Sequence, residues 1–364
     1  MSSSSSTSGA DSAAGEHSGT NPAWFSAIMG TAGTAAVLAL DPLPSVDLAA
    51  ISTSLAWILL GLSGIAFPIL LAQFMRTSRT PWQDMASPQV GPAYATIPGA
   101  MLVLMVALSI LLDLGTLPVW AWWLVLVWTA VGAILAVVVT VRLFVAAFAD
   151  DSFPVQHLSG MWFVPETALM LAGIVLGRMA VSGLDEPINS LIFAAIALVG
   201  AGVLLFALTA AVFFTRLILH PHVRANGAPA MWIMLSPLSI SILAMQQVSL
   251  EAEILNSEAG RESAAFLDLL AVLLWGFSLW WVLAAAAITW GSRAGAFTHS
   301  PADWSYVFPL AGLSLATIEL SRLWDALPLQ WLGATFAILL FAVWITVTTD
   351  TLRQRGRSRA LATD

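Results

Sequence analysis

Ala95-Thr-Ile-Pro98-Gly-Ala-Met-Leu-Val-Leu-Met-Val-Ala-Leu-Ser-Ile-Leu-Leu112 is an uncharged stretch of 18 residues with a proline near its start. A helix needs about 20 mostly apolar residues to cross a bilayer, so the stretch reads as one membrane crossing. The arrangement recurs. Trp162-Phe-Val-Pro165, Met234-Leu-Ser-Pro237 and Tyr306-Val-Phe-Pro309 also open apolar runs, and the four prolines lie 67, 72 and 72 residues apart. That interval holds two crossings, which makes the repeating unit a helical hairpin.

Extending the reading in both directions gives ten apolar runs, at 23–40, 49–75, 95–112, 119–148, 162–180, 188–217, 231–250, 265–290, 304–321 and 329–347. Their unbroken apolarity excludes the alternating strands of a membrane barrel. Only 9% of residues are charged and 59% are hydrophobic, against about 25% charged in soluble domains. Lipid is therefore the solvent. The absence of cysteine excludes disulfides, thiolate metal sites and thiol nucleophiles. Residues 1–20 are rich in Ser, Gly and Ala and lack a basic leader, the pattern of a disordered cytoplasmic tail rather than a signal peptide. Residues 21–350 form the ten-helix domain, and 351–364 a short basic tail on the cytoplasmic side.

Ten crossings leave both termini on one side, and the arginines choose it. Arg76, Arg79, Arg142, Arg216, Arg224, Arg293, Arg353, Arg355, Arg357 and Arg359 fall on the terminal side, leaving Arg178, Arg261 and Arg322 opposite. The positive-inside bias places both termini in the cytoplasm of a cell-membrane protein. The opposite connectors are acidic, with Asp41, Asp47, Asp185, Glu186, Glu251, Glu253, Glu258 and Glu262.

Odd-numbered runs are short and carry the prolines; even-numbered runs are mostly longer. This alternation implies an inner ring of odd helices around an axis and an outer ring facing lipid. A proline inside a helix removes a backbone hydrogen bond, tolerable at membrane depth where protein or a water-filled cavity satisfies the freed groups. Pro98, Pro165, Pro237 and Pro309 are thus candidate pore-helix kinks; the alternative, a proline in the first helical turn where it costs nothing, stays open for Pro98 and Pro165, while Pro237 and Pro309 read as internal to their helices. In the first run Met29-Gly30-Thr31-Ala32-Gly33-Thr34 occupies the equivalent point.

At these residues the chain resembles the tellurite-resistance/dicarboxylate transporter family, which includes fungal malate permeases and sulfite exporters and the slow-type anion channels of plants. The similar pieces are Pro22-Ala-Trp24-Phe25 with Met29-Gly30-Thr31, Gly91-Pro-Ala-Tyr-Ala-Thr-Ile-Pro98, Trp162-Phe-Val-Pro165, Pro229-Ala-Met-Trp-Ile-Met-Leu-Ser-Pro237 and Trp304-Ser-Tyr-Val-Phe308-Pro309. The resemblance implies an all-α fold of five hairpins with quasi-five-fold symmetry, odd helices forming an anion pore, and a homotrimer. It also implies that Phe308, beside the ninth helix's proline, gates the pore. The sequence departs from the pattern at Gly30-Thr-Ala-Gly33, where relatives commonly read Gly-Thr-Gly, and at Glu166, an acid in a path expected to pass anions.

The odd runs hold few cations, so anion selectivity would come from small polar groups and exposed backbone amides. Candidates are Gly30, Thr31, Thr34, Thr96, Ser236, Ser239 and Ser241; their alternative is ordinary packing by small residues. Glu166, Glu319 and Arg322 are possible coupling groups, because an ionisable side chain in a membrane run costs at least about 2.5 kcal/mol. Glu319 and Arg322, three apart on one helix face, can also neutralise each other, and Glu166 can serve its helix's positive N-terminus. All five histidines lie in tails or loops, and no metal site, phosphate loop or catalytic triad spacing appears. A transporter or channel for small anions (malate, sulfite, tellurite or inorganic anions) is expected, with a proton-coupled dicarboxylate carrier as the alternative. An enzyme, a cofactor, a metal and a nucleic-acid partner are not.

Overall fold

A computed structural model describes residues 20–43, 48–150, 155, 158–182, 188–219, 228–255, 258–291 and 300–361. All five histidines, Arg224, Arg293, Asp47, Asp185 and Glu186 lie outside the described residues, as do the side chains of Arg355, Arg357 and Arg359. The described residues are helical, without a strand. Ten long helices follow one another: α1 (Phe25–Ala39), α2 (Ala49–Thr77), α3 (Thr96–Asp113), α4 (Ala121–Phe148), α5 (Val164–Ser182), α6 (Asn189–Leu219), α7 (Leu235–Ile254), α8 (Glu258–Gly291), α9 (Val307–Leu323) and α10 (Leu327–Leu361). Among the described residues nine segments are long and apolar enough to cross a membrane. The remaining helix, α9, has 17 residues, a length of about 25 Å at 1.5 Å per residue.

Neighbour relations sort the helices into two layers. Consecutive pairs form hairpins, α1 with α2, α3 with α4, α5 with α6, α7 with α8 and α9 with α10. The odd members also pack on one another, α1 on α3, α3 on α5, α5 on α7, α7 on α9 and α9 back on α1, closing a ring. Burial follows this division. In an apolar 18-residue stretch of each inner span containing α1, α3, α5 and α7, 67–94% of residues are buried, against 22–39% in the corresponding stretches of the five outer spans. The outer faces are Ile, Leu, Val and Trp exposed to lipid, for example Ile58, Ile65, Leu204 and Leu283.

Two devices lock hairpin to ring. Edge-to-face rings join the layers: Phe25 of α1 meets Phe67 and Phe74 of α2 at 5.6 and 6.3 Å, and Phe163, just before α5, meets Phe213 of α6 at 5.0 Å. Such pairs contribute about 0.5–1.5 kcal/mol beyond area burial. Glycines admit close backbone approach elsewhere. A Cβ at Gly202 of α6 would stand 2.5 Å from Met170 and 2.8 Å from the carbonyl of Glu166, both on α5.

Four of the five inner helices restart after a helical turn or short helix, at Gly91–Tyr94, Gly160–Phe163, Ala228–Trp232 and Pro301–Ser305, and α1 follows directly on Pro22–Trp24. This corrects the kink expectation. Pro98, Pro165, Pro237 and Pro309 each fall in the first turn of a main helix, at its second or third residue. There the missing N–H removes no helical bond, so the prolines mark where a crossing restarts rather than bend it from within.

A second correction concerns Glu251. α7 continues through Ile254, and Glu251 is fully buried rather than an exposed loop acid. Its carboxylate lies directly on Gly177 of α5 and accepts from Gln247 Nε2 at 3.1 Å.

Candidate functional site

The N-terminal ends of all five inner helices face one cavity. It has a volume of about 790 Å³ and opens on the side where the chain enters α1. Each helix or its leading turn contributes to the wall: Pro22 and Ser26, Tyr94 and Thr96, Val164 and Thr167, Ile233 and Ser236, and Phe308 and Pro309. α1, α3, α7 and α9 begin without a side-chain hydrogen bond at the N-cap. Each helix N-terminus carries about half a positive elementary charge on its amides, so five convergent ends bias this vestibule toward anions.

Below the vestibule lies the axis of the ring. A cavity of about 20 Å³ is enclosed there by Gly33, Ala36, Val103, Val106, Leu171, Ile174, Ile240, Leu243, Phe308, Ala311, Gly312 and Leu315. That is space for about one water, with wholly apolar walls. Every inner helix supplies a pair three residues apart, from Gly33 and Ala36 on α1 to Gly312 and Leu315 on α9. Phe308 belongs to both cavities. The residue is 7% exposed, and its Cδ2 lies 3.7 Å from where a Cβ on Gly33 across the helix ring would stand.

The polar residues expected along the path divide. Thr96 and Ser236 line the vestibule, with Thr96 Oγ1 donating to the Pro22 carbonyl at 2.7 Å. Thr31 turns outward, its hydroxyl accepting from the Trp344 indole of α10 at 3.1 Å. Gly30 is where α1 meets α9, a Cβ there falling 2.9 Å from Val307. Thr34 donates to the Gly30 carbonyl at 2.8 Å, Ser239 to the Leu235 carbonyl at 2.6 Å, and Ser241 to Met170 Sδ at 3.3 Å. These five residues line neither cavity; Thr34 and Ser239 bond within their own helices, and Gly30, Thr31 and Ser241 meet a neighbouring one. The reason is chemical: in a helix without water, a small hydroxyl bonds its own backbone or a neighbouring helix.

The ionisable candidates also leave the axis. Glu166 is fully buried between α5 and α6, where Oε1 accepts from Thr209 Oγ1 at 2.6 Å and Oε2 has no hydrogen-bond partner. Glu319 and Arg322 pair at 3.4 Å near the opposite end of the bundle, and Arg322 also donates to the last-turn carbonyl of α1, Leu40, at 2.7 Å. Sequence reading missed a second interhelical anchor. Arg178 of α5 bonds Ser109 at 3.0 Å and forms an ion pair with Asp113, both on α3. Among the described residues no group of three potential metal ligands occurs.

Comparison with known proteins gives the family. The sequence model described as voltage-dependent anion channel matches residues 20–352. An uncharacterized transporter of Methanocaldococcus jannaschii is 25% identical over 89% of this chain and 90% of its own length. A sulfite efflux pump of Arthroderma otae is 23% identical, covering 90% of this chain and 88% of the pump. The malic acid transport protein of Schizosaccharomyces pombe is 23% identical over 62% of this chain and 53% of that protein.

Proposed function

This chain belongs to the voltage-dependent anion channel family, and from that premise we propose that it passes small anions along the axis of its inner ring, with Phe308 as the gate. The observation that carries the reading is the convergence of five helix N-termini on one vestibule whose floor is Phe308. An anion collects where helix dipoles and hydroxyls stabilise it, then meets a dry constriction too small for a hydrated ion. Hydrophobic constrictions of this kind close by dewetting. Movement of the Phe308 ring joins vestibule and axis. The weak, permissive polar lining favours small oxyanions and halides over a tightly bound single substrate. Sulfite and malate enter as candidates through the named relatives. The protein works in the cell membrane with both termini in the cytoplasm, as a homotrimer.

A second reading, a proton-coupled carrier of dicarboxylates, draws on Glu166, a buried carboxyl with one unpartnered oxygen. Reconstitution into liposomes with chloride, nitrate, sulfite and malate separates the two. Flux that follows the imposed potential and ignores a proton gradient supports the channel; uptake that requires the gradient supports the carrier.

A further inference from the structure

Arg79 follows the end of α2 by two residues and stands on the vestibule wall with its side chain exposed. It is the one cation lining that cavity among the described residues. The other charged lining residue, Asp84, is held by hydroxyls: Oδ2 accepts from Tyr94 at 2.9 Å and Oδ1 from Thr80 at 3.1 Å. Arg79 forms no ion pair among the described residues. Four other arginines are engaged: Arg142 stacks over Trp82 and Arg216 over Phe213, while Arg178 and Arg322, near the opposite end of the bundle, are paired with carboxylates; Arg76 and Arg353 are exposed but do not line the cavity. The ends of the path therefore differ: at the vestibule Arg79 is exposed and outside any ion pair among the described residues, while the Asp84 carboxylate on the same wall is held by its two hydroxyl donors.

We propose that Arg79 is the anion-capture residue of the vestibule, making loading of the path from that face faster than from the opposite one. The inference rests on the reading of the vestibule as an anion path. A positive charge on the wall of a concave, low-dielectric mouth raises the local anion concentration. The effect acts on loading, grows with the charge of the anion, and fades as salt shortens the Debye length, about 10 Å at 0.1 M. Close fit is not required, so lysine serves nearly as well as arginine.

The test uses the full chain in liposomes, with protein orientation scored by protease accessibility. In low salt, Arg79→Gln is expected to raise the half-saturating concentration for chloride from the vestibule side by about 3- to 10-fold, more for malate, by loss of steering. Maximal flux stays unchanged, the ratio of fluxes in the two directions moves toward one, and added impermeant salt erases the difference; Arg79→Lys behaves as wild type. The chain has no cysteine, so Arg79→Cys provides a single thiol whose charge is set after folding. A cationic methanethiosulfonate should restore capture and an anionic one depress it in the same preparation. Equal effects of the two reagents, or an unchanged half-saturating concentration for Arg79→Gln in low salt, overturn the proposal. A wild-type protein without anion flux overturns instead the functional reading beneath it.

Discussion

At the scale of single residues, Glu166 separates a structural acid from a coupling one. Its side chain points away from the axis, toward Thr209. Glu166→Gln keeps an acceptor for that hydroxyl, so anion flux is expected to stay within about twofold of wild type and to remain indifferent to a proton gradient, a neutral exchange of one hydrogen-bond acceptor for another. Loss of gradient-dependent uptake with normal folded yield would move the account to the carrier. Glu166→Ala instead leaves Thr209 without its buried partner and should lower stability by about 1–3 kcal/mol. Gly173 makes a second case. A Cβ there would stand 2.7 Å from the Ala195 carbonyl oxygen of α6, backbone that cannot step aside, whereas Gly61 on α2 has open space around it. Gly173→Ala is expected to cost about 1–3 kcal/mol by overpacking, seen as a lower melting temperature in detergent, and Gly61→Ala to change nothing comparable.

At the scale of the helix, the crossings were legible in the sequence because membrane solvation writes itself as uninterrupted apolarity. Pro98, Pro165, Pro237 and Pro309 flagged the start of each inner crossing, but as kinks, with Pro237 and Pro309 internal; a first-turn place for those two shows only once the leading turns are seen. Phe308 apart, the axis-facing residues were not legible. An inner helix buried on all sides is apolar all round and shows no polar stripe to mark its inward face, so the hydroxyls that stand out in the sequence, such as Thr31 and Ser241, are ones that hold helices together. The pairs Val103 with Val106 and Leu171 with Ile174 carry the spacing of a helix face, but so do lipid-facing pairs. A pair of substitutions on α1 checks the corrected assignment. Ala36→Leu inserts bulk into the cavity of about 20 Å³ and is expected to cut anion flux at least about tenfold, by closing a constriction already near one water in width. Thr31→Val removes the acceptor for Trp344, costs about 1 kcal/mol, and leaves flux unchanged. Equal flux in the two variants would place the path elsewhere.

At the scale of the molecule, a closed inner ring inside lipid-facing helices gives the path its two distinct ends, one a vestibule of helix N-termini and the other flanked by the Arg178–Asp113 and Arg322–Glu319 pairs. The arginine bias makes a cytoplasmic vestibule the proposed orientation, and thiol labelling tests it. With no native cysteine, Ser78→Cys at the vestibule and Asp325→Cys beyond α9 should be labelled by a membrane-impermeant thiol reagent from opposite sides of intact cells, Asp325→Cys from outside; the reverse pattern would invert the topology. The gate is the claim on which the molecular account turns, and the flux of Phe308→Ala in liposomes, read beside its folded yield, tests it most directly. Removing a ring that separates vestibule from axis is expected to speed anion flux at normal yield. A ring that only packs would behave oppositely: truncation of a buried Phe typically costs about 3–5 kcal/mol, and poorer yield with unchanged or reduced flux would contradict the gate.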